Sequence, residues 1–166
     1  NLRRAQLSRA DGTGLQARGA ILREVEATEL VLRGADLSRA TLSSATLRRC
    51  DLREAQLRGA DLTGARLLRC TLFGADLTGA SMRGAVLDGS VYDARSRWPA
   101  GVRPASLGAV YVGPGAKLAR ADLAGAALSG FDLLGADLDD ATVEGADLSS
   151  TNLSRARLRR VRGRAV

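Results

Sequence analysis

Nine aspartates recur at one position of a short repeat: Asp11, Asp36, Asp51, Asp61, Asp76, Asp122, Asp132, Asp137 and Asp147, half of the chain's 18 acids. Carboxylates spaced in this way could pair for general acid–base work or gather around a cation. Two cysteines, Cys50 and Cys70, stand twenty residues apart and could form a disulfide or offer two metal ligands. Histidine is absent, which removes the commonest general base, the Ser-His-Asp triad and most zinc sites. Two thiolates do not close a zinc site by themselves. Every glycine-rich stretch belongs to the repeat, so none reads as a phosphate loop. The carboxylates recur too regularly to mark one active site. Regular recurrence suits a structural task, hydrogen-bonding to neighbouring backbone or solvating a wall. The chain is therefore expected to have no catalytic residue, no cofactor and no metal.

The element that carries these side chains is five residues long. In fives from Ala35 the sequence reads ADLSR ATLSS ATLRR CDLRE AQLRG ADLTG ARLLR CTLFG ADLTG ASMRG AVLDG, with Ala or Cys first and Leu or Met third throughout. A second run from Ala116 reads AKLAR ADLAG AALSG FDLLG ADLDD ATVEG ADLSS TNLSR ARLRR, with Leu or Val third throughout. A period of five fits neither a 3.6-residue helix nor a long strand. Positions one and three lie two apart, so in an extended segment both point inward while position two points out. Positions four and five must then turn the chain, and Gly at position five, as in Gly59, Gly64 and Gly125, suits a corner with positive φ. Position one stays small because the wall bends there.

The expected core is the third-position column: Leu37, Leu42, Leu47, Leu52, Leu57, Leu62, Leu67, Leu72, Leu77, Met82 and Leu87, then Leu118, Leu123, Leu128, Leu133, Leu138, Val143, Leu148, Leu153 and Leu158. Each such side chain contributes about 1.5–3 kcal/mol when fully buried. Composition agrees, because aromatics make up only 3% of the chain and one repeated residue size suggests one repeated socket.

The A-(D/N)-L-x-x pattern, over nearly the whole chain, resembles the pentapeptide-repeat family. That resemblance implies an all-β fold, a right-handed quadrilateral parallel β-helix with four pentads per turn and an inserted loop. Residue spacing alone yields the five and not the four. Roughly eight coils at ~4.8 Å each would make a rod about 40 Å long. In such a coil Cys50 and Cys70 would stack in register, which suits buried free thiols better than a disulfide.

Residues 10–34 keep phase with exchanged sizes: Gly12, Ala17 and Ala27 replace Leu at the centre, and Leu15, Val25 and Leu30 enlarge position one. The phase itself breaks once, since central residues run to 92 and restart at 118, one place out of step. Three segments follow: a first repeat block 1–92, a Trp/Pro-containing insertion 93–115 and a second block 116–166 with an Arg-rich end. The insertion is similar to a Tyr-Asp…Trp-Pro segment of bacterial members of the family, with Val102 where Phe is usual. Trp98 either covers the flank of the coil, with Ala105–Leu107 and Val110–Val112 as further walls, or projects toward a partner. The chain opens in mid-repeat at Asn1-Leu2-Arg3-Arg4, which points to upstream sequence.

The net charge of +7 hides strong segregation: seven acids and no base over 121–154, then six arginines and no acid from 155 to the end. Asp139, Asp140 and Glu144 lie outside the repeat's second position, and together with Trp98, Arg155, Arg157, Arg159, Arg160, Arg162 and Arg164 they are the candidate partner contacts. No stretch reaches the ~20 apolar residues of a membrane helix, and a cytoplasmic setting fits two cysteines in a reducing compartment.

The expected function is a non-catalytic scaffold or protein–protein interaction module, its partner another protein or a second copy. The resemblance offers an alternative, because some family members mimic duplex DNA, bind DNA gyrase or another topoisomerase and protect it from antibiotic poisons. A mimic of DNA, at one negative charge per ~1.7 Å, would need far more net acid than this chain has. A third reading, nucleic-acid binding by the Arg-rich end, lacks aromatics for base stacking. A continuous acidic stripe would favour the mimic, and a continuous arginine stripe the nucleic-acid binder.

Overall fold

The computed structural model describes residues 1–166. Its extended segments are short: β1 (Gln6–Ser8), β2 (Glu26–Thr28), β3 (Thr46–Arg48), β4 (Arg66–Leu68), β5 (Val91–Tyr92) and β6 (Val110–Tyr111), with one 3-10 turn at Pro104–Leu107. Most other pentads contribute a single bridging residue between two corners. The chain divides into two compact units, residues 1–109 and 110–166.

In the first unit the bridges set the size of a turn. Leu7 pairs with Ala27, Ala27 with Leu47 and Leu47 with Leu67, all parallel. The other three faces repeat the same step of twenty, as in Asp11↔Val31↔Asp51↔Thr71, Gln16↔Asp36↔Gln56↔Asp76 and Ile21↔Thr41↔Asp61↔Ser81. Four pentads thus make one turn of a right-handed, four-sided parallel β-helix. The second unit repeats the arrangement, with Lys117↔Asp137↔Arg157 on one face and Asp122↔Thr142↔Arg162 on the next. Each stacked strand satisfies its backbone against the turns above and below, which lets strands this short persist.

The interior follows from the period. Leu37 through Leu87 on the central column are buried, Met82 included, and Leu118, Leu123, Leu128, Leu133, Leu138 and Val143 are buried in the second unit. Three expected core residues are not: Leu148 and Leu153 are half-buried, and Leu158 is 46% exposed. A central residue is covered by the turn twenty residues further on, and these three lie within twenty residues of Val166. In residues 10–34 the exchanged sizes interlock, since the Cδ2 of Leu32 occupies space that a Cβ on Gly12 would reach at 3.1 Å.

Position five is left-handed whatever residue stands there, φ being 65° at Gly64 and 59° at Arg39. The corner geometry thus comes from the stacked turns. Glycine relieves a strain that other residues carry at about 1–2 kcal/mol each.

The phase slip sits at one corner. Thr71 bridges Val91, twenty residues on, but Asp76 bridges Arg97, twenty-one on. The extra residue puts Asp93, not Tyr92, at the inward place, where Asp93 is only 6% exposed. Its carboxylate Oδ1 accepts hydrogen bonds from the backbone N–H groups of Gly74 (2.8 Å), Ser96 (3.1 Å) and Arg95 (3.2 Å) and from the Ser96 hydroxyl (2.9 Å). The Ser96 hydroxyl oxygen also accepts the Asp93 N–H at 3.1 Å.

Beyond this corner residues 93–109 of the insertion belong to the first unit. Trp98, Tyr92, Val102 and Leu107 pack on its core, and the Trp98 and Tyr92 rings meet edge to face at 5.3 Å. Ala105–Leu107 is not a wall: Pro104 starts a 3-10 turn, because its ring presets φ and it has no N–H to give to a ladder. Two ladder contacts survive there, the Leu87 N–H donating to the Leu107 carbonyl at 2.7 Å and the Gly89 N–H to the Gly108 carbonyl at 3.1 Å.

Candidate interaction surfaces

The nine repeat aspartates share one task. In each, Oδ1 accepts the backbone N–H two residues on: Thr13, Ser38, Arg53, Thr63, Thr78, Ala124, Leu134, Asp139 and Ser149 in turn, at 2.9–3.1 Å. The short side chain thereby pins the corner that follows its own strand. Side-chain and backbone hydrogen bonds from Thr13 and Ser38 hold Asp11 and Asp36 below the usual carboxylate range. Burial pushes the Asp76 carboxyl up, but Thr78 and the Arg58 guanidinium outweigh it and the net direction is down. The nine aspartates are corner clamps, and no group of three or more His, Cys, Asp or Glu side chains comes together as a metal site would require.

Cys50 and Cys70 are buried free thiols with a comparable task. In most corners the position-one N–H donates back to the central carbonyl, as Ala65 does to Leu62 at 2.9 Å. The corners after β2, β3 and β4 lack that bond. Their central carbonyls instead accept from side chains one turn on: Ala27 from Cys50 Sγ (3.8 Å), Leu47 from Cys70 Sγ (3.5 Å) and Leu67 from the Ser90 hydroxyl (2.8 Å). Contact with the Cys50 thiol, followed by burial, pushes Cys70 well above the ordinary thiol range.

The segregated charges of 121–166 meet across one turn. Arg160 pairs with Asp140 at 2.8 Å, and Arg157 pairs with Asp137 at 3.4 Å and also with Asp139. Asp139 accepts the Arg159 N–H at 3.0 Å and Glu144 accepts the Arg164 N–H at 3.2 Å. Asp139, Asp140 and Glu144 are therefore engaged within the chain. The reason is register, since a separation of about twenty residues becomes vertical contact. Up this face the charges alternate, with Arg120, Asp140 and Arg160 at successive levels. The guanidinium groups of Arg155, Arg159, Arg162 and Arg164 make no ion pair, and all four residues are exposed. Trp98 is half-buried, its indole N–H enclosed without a hydrogen-bond partner.

A second charged surface lies on the first unit. Over β3 and β4 a groove of about 570 Å³ is lined by Thr28, Arg48, Arg49, Arg66, Leu68, Arg69 and Asp88. Arg48 and Arg49 belong to one turn, Arg66 and Arg69 to the next. Arg48 and Arg66 form no ion pair, and Arg49 reaches Glu29 only at 3.9 Å.

The model of the pentapeptide repeats matches eight copies, over residues 20–54, 50–89 and 116–155. The chain belongs to the pentapeptide-repeat family. A pentapeptide repeat protein from Nostoc Pcc 7120 is similar at 30% identity over 66% of this chain and 85% of that one, with a TM-score of 0.52. Trypsin-treated QnrB1, a plasmid-mediated fluoroquinolone resistance protein, aligns at 19% identity over 98% of this chain and 74% of that one, with a TM-score of 0.54, a likeness of fold. No curated protein sequence matches significantly. Pentapeptide-repeat proteins are generally non-catalytic scaffolds.

Within a pentapeptide-repeat coil, sequence reasoning had no means to find the β3–β4 groove. Arg48, Arg49, Arg66 and Arg69 sit at three different positions of the repeat and converge only once the turn is known to be twenty residues. Asp93 was likewise missed, because the slip could be bounded from sequence but not placed.

Proposed function

We propose that this chain is a non-catalytic β-helical scaffold that binds another protein on its outer faces. The observation that carries the reading is how the polar side chains are spent. Inward positions are filled by Leu and Ala, and the nine repeat aspartates are held to their own corners. What remains for recognition is outward charge, in short patches. Neither the continuous acidic stripe of a DNA mimic nor a continuous arginine stripe is present where Arg120, Asp140 and Arg160 alternate. The topoisomerase-protecting alternative is correspondingly weakened, and the likeness to QnrB1 supports the fold only. No helix is long and apolar enough to cross a membrane, and the two free thiols suit a reducing cytoplasm.

The test is chemical cross-linking in the native host followed by capture of the protein, with and without nuclease. A polypeptide partner recovered equally in both samples is expected. Nucleic acid recovered in place of a polypeptide would replace this reading.

A further inference from the structure

We propose that the groove over β3 and β4 docks a short acidic segment of the partner protein, with Arg48, Arg49 and Arg66 holding its carboxylates; this deepens the scaffold reading and rests on it. At about 570 Å³ the groove falls within the roughly 300–1,000 Å³ of small-ligand pockets. It accommodates a few side chains, not a folded domain. Arg48 and Arg66 are exposed and unpaired, and Arg49 keeps only a long contact to Glu29, 3.9 Å. Guanidinium groups present planar forks that match carboxylates two bonds at a time. Arg48 and Arg66 stand on adjacent turns, ~4.8 Å apart in a β ladder, so one extended segment can meet both. Half-buried Leu68 adds apolar surface between Arg66 and Arg69, directly above Arg48, and half-buried Thr28 flanks Arg48 on the turn before.

The ends of the groove favour a peptide over a nucleic acid. Glu26 and Glu29 stand on the turn before Arg48 and Arg49, and Asp88 on the turn after Arg66 and Arg69. A nucleic acid carries unbroken negative charge along its length and would run onto these carboxylates at either end. A peptide with a few acids flanked by neutral residues would not.

The experiment selects displayed peptides of roughly a dozen residues, a length suited to groove recognition, against the full chain. Three proteins are compared: wild type, Arg48→Ala/Arg66→Ala, and Arg155→Ala/Arg159→Ala as a control for unpaired arginine elsewhere. The exposed side chains should leave the thermal melts of all three alike. Wild type and the control are expected to enrich Asp/Glu-containing peptides, and the groove variant to bind them at least about tenfold more weakly, the loss of a single ~1.4 kcal/mol interaction. No acidic enrichment would overturn the proposal. Enriched peptides that bind the groove variant equally well would overturn it too, while leaving a protein-binding scaffold in place. Single-stranded DNA that displaces the peptides at lower concentration than they bind would overturn both readings.

Discussion

The Asp93 carboxylate accepts the Gly74 backbone N–H at 2.8 Å, in the place a main-chain carbonyl holds elsewhere in the coil. At the regular corner before it, the Arg69 N–H donates to the Asp88 carbonyl, nineteen residues on, at 2.9 Å. One side chain thus repairs the ladder where an extra residue has been admitted. The coil can change phase without leaving the Gly74 backbone donor unsatisfied.

Asp93→Ala should cost about 1–3 kcal/mol, the range for stranding a buried donor, read as a lower midpoint in urea unfolding. Asp93→Asn keeps an acceptor oxygen and should lose less. Burial pushes the Asp93 carboxyl up, but the Gly74 N–H, Arg95 and Ser96 outweigh it and lower it overall. A carboxyl lowered by folding stabilises above its unfolded value, about 3.9, and that stability is lost as pH falls through the folded value. Between about pH 4 and pH 2 wild type should therefore lose more stability than Asp93→Asn; parallel pH profiles would count against this account.

Leu62 is 1% exposed and Leu158 46%. Leu62→Asp should abolish cooperative unfolding of the first unit, because a carboxylate there is neither solvated nor paired. Leu158→Asp should melt close to wild type. Circular dichroism of the two variants decides, and equal effects would refute the contrast in burial between the two positions.

Arg160 and Asp140 should couple by about 0.2–1 kcal/mol in a double-mutant cycle, the range for exposed pairs. The coupling should shrink toward zero near 1 M salt, where the Debye length falls to ~3 Å. A coupling that does not respond to salt would mean that something other than the ion pair is being measured.

Neither cysteine should react with a thiol-disulfide reagent at pH 8 in the folded protein, and both should react in urea. Cys70→Ser should melt near wild type, since Ser90 already donates to a central carbonyl through its hydroxyl at 2.8 Å. Rapid labelling of the native protein would sink the assignment of both thiols to the interior.

Purified protein should neither inhibit gyrase supercoiling nor rescue it from a quinolone, because the acids from Asp137 to Asp140 face Arg157 and Arg160 and expose little net negative charge. Protection at near-stoichiometric concentration would restore the mimic reading.

The strand-and-corner unit and its inward Leu and Ala follow from the sequence by itself, because each depends only on residues within one pentad; of the two structural tasks the sequence leaves open for the aspartates, the structure selects the corner. Asp36 finds its partner in Ser38, two residues away, and no distant contact is needed to place it. What lies between turns was decided by tertiary structure. A five-residue period is compatible with several numbers of sides, and the step of twenty appears only when Leu47 is seen over Ala27. That step brings Arg160 to Asp140, gathers Arg48, Arg49, Arg66 and Arg69 over one face and places the phase slip at Asp93. Each of these is a contact between residues about a full turn apart, where electrostatics and packing act through space and residue spacing within a pentad carries no information.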